Sequence, residues 1–193
     1  MVKATTPQPY KQTLDAPRKF KKISNRKISP LPYPDPSDLR KEGTWKKTSE
    51  TKKHPKLSKN KKKLLIRVSL KGNRTYIIDN GKVVYTMLST AGMYKKGKSL
   101  TPTGNYHIHF NRGKEFFNPK LKEGARNWTS WSHKDVYLFH SVPTKKGGKI
   151  NVKEAEKLGQ TQGSHGCVRL SLPDSYWIMK NVPVGTKVVI KDW

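Results

Sequence analysis

The sequence predicts a mainly β domain with one or two short helices, preceded by a basic, flexible N-terminal segment. Three observations predict it. From Leu64 onward apolar and polar residues alternate with a period of two, an Asn-Gly pair separates two β-rich runs, and helix signals are few and short. A period of two sends successive side chains to opposite faces of a strand, which a half-buried sheet requires.

Residues 1–63 come first. They carry 19 Lys or Arg against 5 Asp or Glu, with prolines at positions 7, 9, 17, 30, 32, 34, 36 and 55. Low hydrophobicity with high net charge does not offset the chain entropy of folding. This stretch therefore reads as a Pro/Lys-rich linker, largely disordered, with 29–36 extended. Tyr33, Trp45 and Leu57 are its candidates for docking on the domain that follows.

That domain spans 64–193. Leu64, Ile66, Val68 and Leu70 point one way and Arg67, Ser69 and Lys71 the other, giving the first strand. Thr75–Ile78 and Lys82–Met87 flank Asp79-Asn80-Gly81. Asn-Gly suits a two-residue hairpin because both central residues need positive φ. Further strand-like runs are Asn105–Phe110, Asp135–His140 and Thr186–Ile190. Val152–Leu158 suits a short helix ending at Gly159, and Ser171-Leu172-Pro173-Asp174 resembles a capping box ahead of Ser175–Lys180.

The formal net charge is +28, of which the first 63 residues and the remainder each carry half. Such an excess attracts anions, but nucleic acid, an anionic membrane face and an acidic wall polymer all satisfy it. No stretch approaches the roughly 18 apolar residues of a membrane span, and no signal-peptide core follows Met1. A single cysteine excludes an intrachain disulfide.

That cysteine lies in Gly163-Ser164-His165-Gly166-Cys167-Val168-Arg169-Leu170. A catalytic thiol needs partial ionisation, backbone donors for an oxyanion, and a base aimed at the sulfur and held by a third group. Adjacency does not make His165 that base, since neighbours in an extended run face opposite sides. His140, closing the apolar run Val136–Phe139, is better placed on a separate strand.

Ser-His-Gly-Cys-Val-Arg-Leu resembles the signature of the L,D-transpeptidase, or YkuD-domain, family. Ser89-Thr90-Ala91-Gly92, Thr101-Pro102-Thr103-Gly104 and Phe139-His140-Ser141 resemble further elements of it, in the same order. Asp174 and 184–188 look like its closing helix and strand. The spacer of 23 residues between His140 and Ser164 is longer than in compact members, and Ala91 interrupts the Ser-Thr-Gly element.

The resemblance implies an L,D-transpeptidase-type β-sandwich acting on peptidoglycan outside the bacterial cytoplasm, in association with the wall. Cys167 would attack the third-residue carbonyl of a tetrapeptide stem, form a thioester and transfer it to an acceptor amine as a 3→3 cross-link. It makes His140 the base, Ser141 the carbonyl that orients it, and His165 and Gly166 contributors to the oxyanion hole. No metal or organic cofactor is implied, and β-lactams of the carbapenem type are implied as covalent inhibitors. Arg169 reads as substrate-facing or structural, and Ser164 as a substrate-side hydroxyl or a turn former. Trp128, Trp131, Phe116 and Phe117 line a cleft or pack a core. His107, His109 and His133 lack the Cys or paired carboxylates of a metal site. Anionic wall polymers are the expected partners of the basic tail.

Two competing readings remain. The same site would make an L,D-carboxypeptidase if water replaced the amine. The charge alone would suit a nucleic-acid-binding module, but no helix-turn-helix, zinc knuckle or RNP-like motif supports specific nucleic-acid binding.

Overall fold

The computed structural model describes residues 31–193, so the expectations for residues 1–30 lie outside it. The strands are β1 (Leu64–Ser69), β2 (Arg74–Asp79), β3 (Lys82–Thr90), β4 (Tyr94–Lys95), β5 (Lys98–Ser99), β6 (Gly104–His107), β7 (Arg112–Asn118), β8 (Glu123–Ser130), β9 (Leu138–Ser141), β10 (Val168–Leu170) and β11 (Lys187–Lys191). The helices are α1 (Val152–Ala155) and α2 (Leu172–Asn181). Nine strands form one sheet in the order β6-β11-β1-β2-β3-β10-β9-β8-β7, and β4-β5 form a small ribbon.

The sheet curls so that its two halves face each other. One core cluster contains Ile66, Val68, Val188 and Ile190 from the first half and Phe139, Val168 and Leu170 from the second, closed by Trp177 and Ile178 of α2. The architecture is thus mainly β, a sandwich made by one curled sheet. Within it β1 runs parallel to β11, and β9 parallel to β10.

Local chemistry accounts for the elements. Leu64, Ile66 and Val68 are buried while Leu65 and Arg67 are only partly so, which is the alternation of a half-covered strand. Asn80 and Gly81 have φ of 51° and 77°, the geometry of a tight hairpin between β2 and β3. Ser171 caps α2 by accepting from the Asp174 N–H at 3.2 Å. The helix expected over 152–158 stops at Ala155, and a turn continues to Gly159, whose φ is 76°. The strand expected over 135–140 begins only at Leu138, because Lys134 and Asp135 both adopt positive φ in a 3₁₀ turn.

Residues 31–63 depart from the linker expectation. They form a strap packed on the domain. Tyr33 stacks edge-on against Tyr76 at 4.9 Å, and Leu39 joins a core cluster with Leu88, Val142, Ala155 and Leu158. Asp35 holds Arg74 through two hydrogen bonds of 2.9 and 3.0 Å. The strap also completes the upper part of β3. Glu50 Oε1 accepts from Thr86 N–H at 2.6 Å and Ser49 Oγ from Leu88 N–H at 2.8 Å. Side chains thus satisfy backbone donors that no neighbouring strand reaches, which removes the cost of burying them unpaired. Composition missed this because a few apolar residues and well-placed carboxylates anchor a segment whose average is polar.

Candidate active site

β9 and β10 build the site between them. Their parallel register pairs Val168 with Phe139, Arg169 with His140 and Leu170 with Ser141. Cys167 immediately precedes β10, so it stands level with Leu138 and faces the same side of the sheet as His140, one step along the diagonal. The candidate nucleophile and base thus come from adjacent strands.

His140 is only 3 % exposed, and its Nδ1 lies 2.6 Å from the Ser141 carbonyl oxygen. A carbonyl can only accept, so Nδ1 carries the proton and Nε2 keeps a free lone pair. Phe116 of β7 meets the imidazole edge-on at 5.6 Å. Burial lowers the His140 pKa to about 4; the bond to Ser141 opposes this and the charge of Arg169 adds to it. Cys167 is half-buried as a residue, yet burial of its thiol raises the pKa to about 11. A backbone hydrogen bond at Leu138 and the Arg169 charge only partly reverse this. The resting pair is therefore neutral imidazole and neutral thiol, not the partly ionised thiol expected from sequence. The pair can still move a proton when the sulfur attacks, since Nε2 is the open acceptor.

The turn before Cys167 is held by Ser164. Its Oγ donates to the Cys167 carbonyl at 2.5 Å and accepts from Gly166 N–H at 3.1 Å. That makes Ser164 a turn former and commits the Gly166 amide to the turn. The contribution of Gly166 is space. Its φ is 139°, and a Cβ there would overlap the Tyr137 ring. His165 points outward and is exposed. Arg169 does not face solvent or a ligand. It is 1 % exposed, with Nη2 on both oxygens of Glu123 at 2.8 and 3.0 Å and Nη1 on Glu154 at 3.0 Å. It ties β10 to β8 and to α1.

Thr101 was not singled out by sequence as a site residue. It is 1 % exposed, accepts from Gly92 N–H at 2.8 Å and donates to the Gly166 carbonyl at 2.8 Å. One hydroxyl thereby joins three of the quoted segments, and its place in Thr-Pro-Thr-Gly was the available signal. Glu123 and Glu154 left no signal, because nothing local distinguishes them from surface carboxylates. Of the aromatics considered for a cleft, Trp131 is fully buried core, Phe116 abuts His140, and Phe117 is partly exposed.

Residues 63–190 match the YkuD family, the L,D-transpeptidase catalytic domain. The chain is 42% identical over 129 residues to YciB of Bacillus subtilis (strain 168), a protein assigned by name to the L,D-transpeptidases; the match covers 67% of this chain and 66% of YciB. The fold is similar to that of LdtMt1, an L,D-transpeptidase solved in complex with imipenem, with a TM-score of 0.53 at 19% identity over 67% of this chain and 59% of that one. It is also similar to L,D-transpeptidase 3 from Mycobacterium tuberculosis, solved with a faropenem-derived adduct, with a TM-score of 0.50 at 17% identity over 67% and 60%. The chain thus spans about two-thirds of the length of the relative it matches in sequence. The strap lies outside the matched residues.

Proposed function

The chain belongs to the YkuD family of L,D-transpeptidase catalytic domains, and from that premise we propose that it is a cysteine acyltransferase forming 3→3 cross-links in peptidoglycan, with Cys167 as nucleophile and His140 as base. The family acts on peptidoglycan outside the cytoplasm. The observation that carries the reading is the parallel β9–β10 register, which sets an imidazole with an open Nε2 beside the turn bearing the only thiol of the chain.

In the first half-reaction the Cys167 sulfur bonds to the third-residue carbonyl carbon of a tetrapeptide stem as its proton passes to His140 Nε2. Amides of the 165–167 turn, Cys167 included, face the developing oxyanion. The C–N bond to the terminal residue breaks, and His140 returns the proton to the departing amine. In the second half an acceptor amine attacks the thioester, gives its proton to His140 and releases Cys167, which recovers it. Arg169, Ser164 and Ser141 position these groups without touching substrate. Carbapenems acylate the same sulfur by the first half alone. The enzyme works at the wall, where anionic polymers attract its positive charge.

Intact-mass measurement with meropenem tests this. Wild type gains one adduct, Cys167→Ala gains none, and His140→Ala gains it about 100-fold more slowly. An adduct that persists in Cys167→Ala overturns the assignment.

A further inference from the structure

The long spacer after His140 has a structural product that the proposed chemistry has not yet used. From Ser141 the chain runs back along β8. Thr144 exchanges backbone hydrogen bonds with Gly124 at 2.9 and 2.7 Å, and a tight turn follows, with Lys145 N–H on the Lys149 carbonyl at 2.8 Å and Gly148 N–H on the Lys145 carbonyl at 3.0 Å. Between this turn and the β7–β8 hairpin lies a cleft of about 440 Å³.

Phe116 forms its floor and is the same ring that meets His140 edge-on. Arg126 and Lys145 supply two cations and Glu115 one carboxylate, and all three are exposed. Arg126 is anchored on both sides. Its backbone N–H donates to Ser141 Oγ at 2.9 Å and its Nη2 to the Gly148 carbonyl at 2.8 Å, which leaves the other guanidinium donors free. Glu115 stands directly across the hairpin from Arg126, yet neither it nor Lys145 forms an ion pair among the described residues. Along β9 the order is Cys167 level with Leu138, then His140, then the cleft.

We infer that Arg126 and Lys145 form a carboxylate clamp for the acceptor, so that this cleft selects acceptor amines whose own fragment carries a free carboxylate. This rests on the transpeptidase reading of the site. In the transfer step the acceptor amine gives its proton to His140, so the acceptor arrives beside the imidazole. The cleft shares a wall with that imidazole and lies on the side away from the sulfur. A guanidinium and an ammonium at its mouth match a carboxylate, Glu115 attracts the ammonium form of the incoming amine, and Phe116 accepts an aliphatic chain. The clamp raises the fraction of thioester that goes to amine rather than to water.

The test uses the full chain, a tetrapeptide donor, and one acceptor peptide prepared with either a free carboxylate or a carboxamide beside its amine. The readout is the partition of the acyl-enzyme between transfer and hydrolysis. Wild type should prefer the free-carboxylate acceptor by about tenfold. Arg126→Ala with Lys145→Ala should reduce that preference to near one, and Arg126→Lys should keep part of it. A wild type that partitions both acceptors equally, or a double variant that keeps the full preference, overturns the clamp while leaving the acyl-enzyme intact. Failure of the catalytic reading is distinct, since wild type would then form no acyl-enzyme on Cys167.

Discussion

His140 is a base whose burial decides when it works. It must be neutral to take a proton, and its pKa is lowered from 6.5 to about 4. Acylation by meropenem should therefore hold its rate as pH falls through 6.5 and fail only near 4; an acid limb at pH 6–7 would contradict this. The same depression couples to stability. The unfolded chain binds the proton below about 6.5 and the folded one does not until about 4, so the contribution is full above 6.5 and lost as pH falls to 4, about 3 kcal/mol in all. Chemical denaturation at pH 7 and pH 4.5 measures it. Thr101 makes a second residue-level case. Thr101→Val keeps the shape but strands the Gly92 N–H and the Gly166 carbonyl, costing about 2 kcal/mol and slowing acylation, whereas Thr101→Ser should restore both. Urea titration and adduct kinetics check the two effects. The identities of Cys167 and His140 were readable because their residue types and neighbours carry the chemistry. The protonation state was not, because desolvation is set by atoms from β7, β8 and β9 that are distant in sequence.

Among the elements, the strap is the part that sequence averages concealed. Asp174, at the start of α2, receives Ser49 Oγ at 2.5 Å, Ser49 N–H at 3.2 Å and His54 Nε2 at 2.7 Å, and His54 stacks on Trp177 at 5.1 Å. One buried carboxylate thus caps a helix and anchors the strap. Asp174→Ala should destabilise the domain by about 3 kcal/mol, and an unchanged urea midpoint would show that the strap docks without it. The β2–β3 hairpin and the cap of α2 were legible because Asn-Gly and Ser-x-x-Asp act within four residues. The β7–β8 hairpin was not. Arg112–Asn118 shows no apolar alternation, and its strand state depends on a ladder with Glu123–Ser130. The spacer after His140 was visible as an insertion, but only its pairing with Gly124 makes it the wall of a cleft.

For the whole molecule, charge and packing now separate. Residues 1–30 carry 8 Lys or Arg and one Asp, while residues 31–63 belong to the packed structure. Deleting 1–30 should leave the melting temperature unchanged and weaken binding to isolated sacculi at low salt. Deleting 1–63 should in addition lower the melting temperature, because β3 loses the groups that satisfy Thr86 and Leu88. Equal melting temperatures for the two deletions would refute the structural part of this account.

Sequence alone determined the β character of the domain, its central hairpin, the cap of α2 and the identity of the candidate nucleophile and base, because each depends on residue type and on neighbours a few positions away. The tertiary structure decided that the thiol rests protonated, that Arg169 is consumed by Glu123 and Glu154, that Gly166 contributes space and not an amide, and that a polar, proline-rich segment is part of the fold. Those outcomes turn on burial and on partners tens of residues apart, which no local pattern encodes.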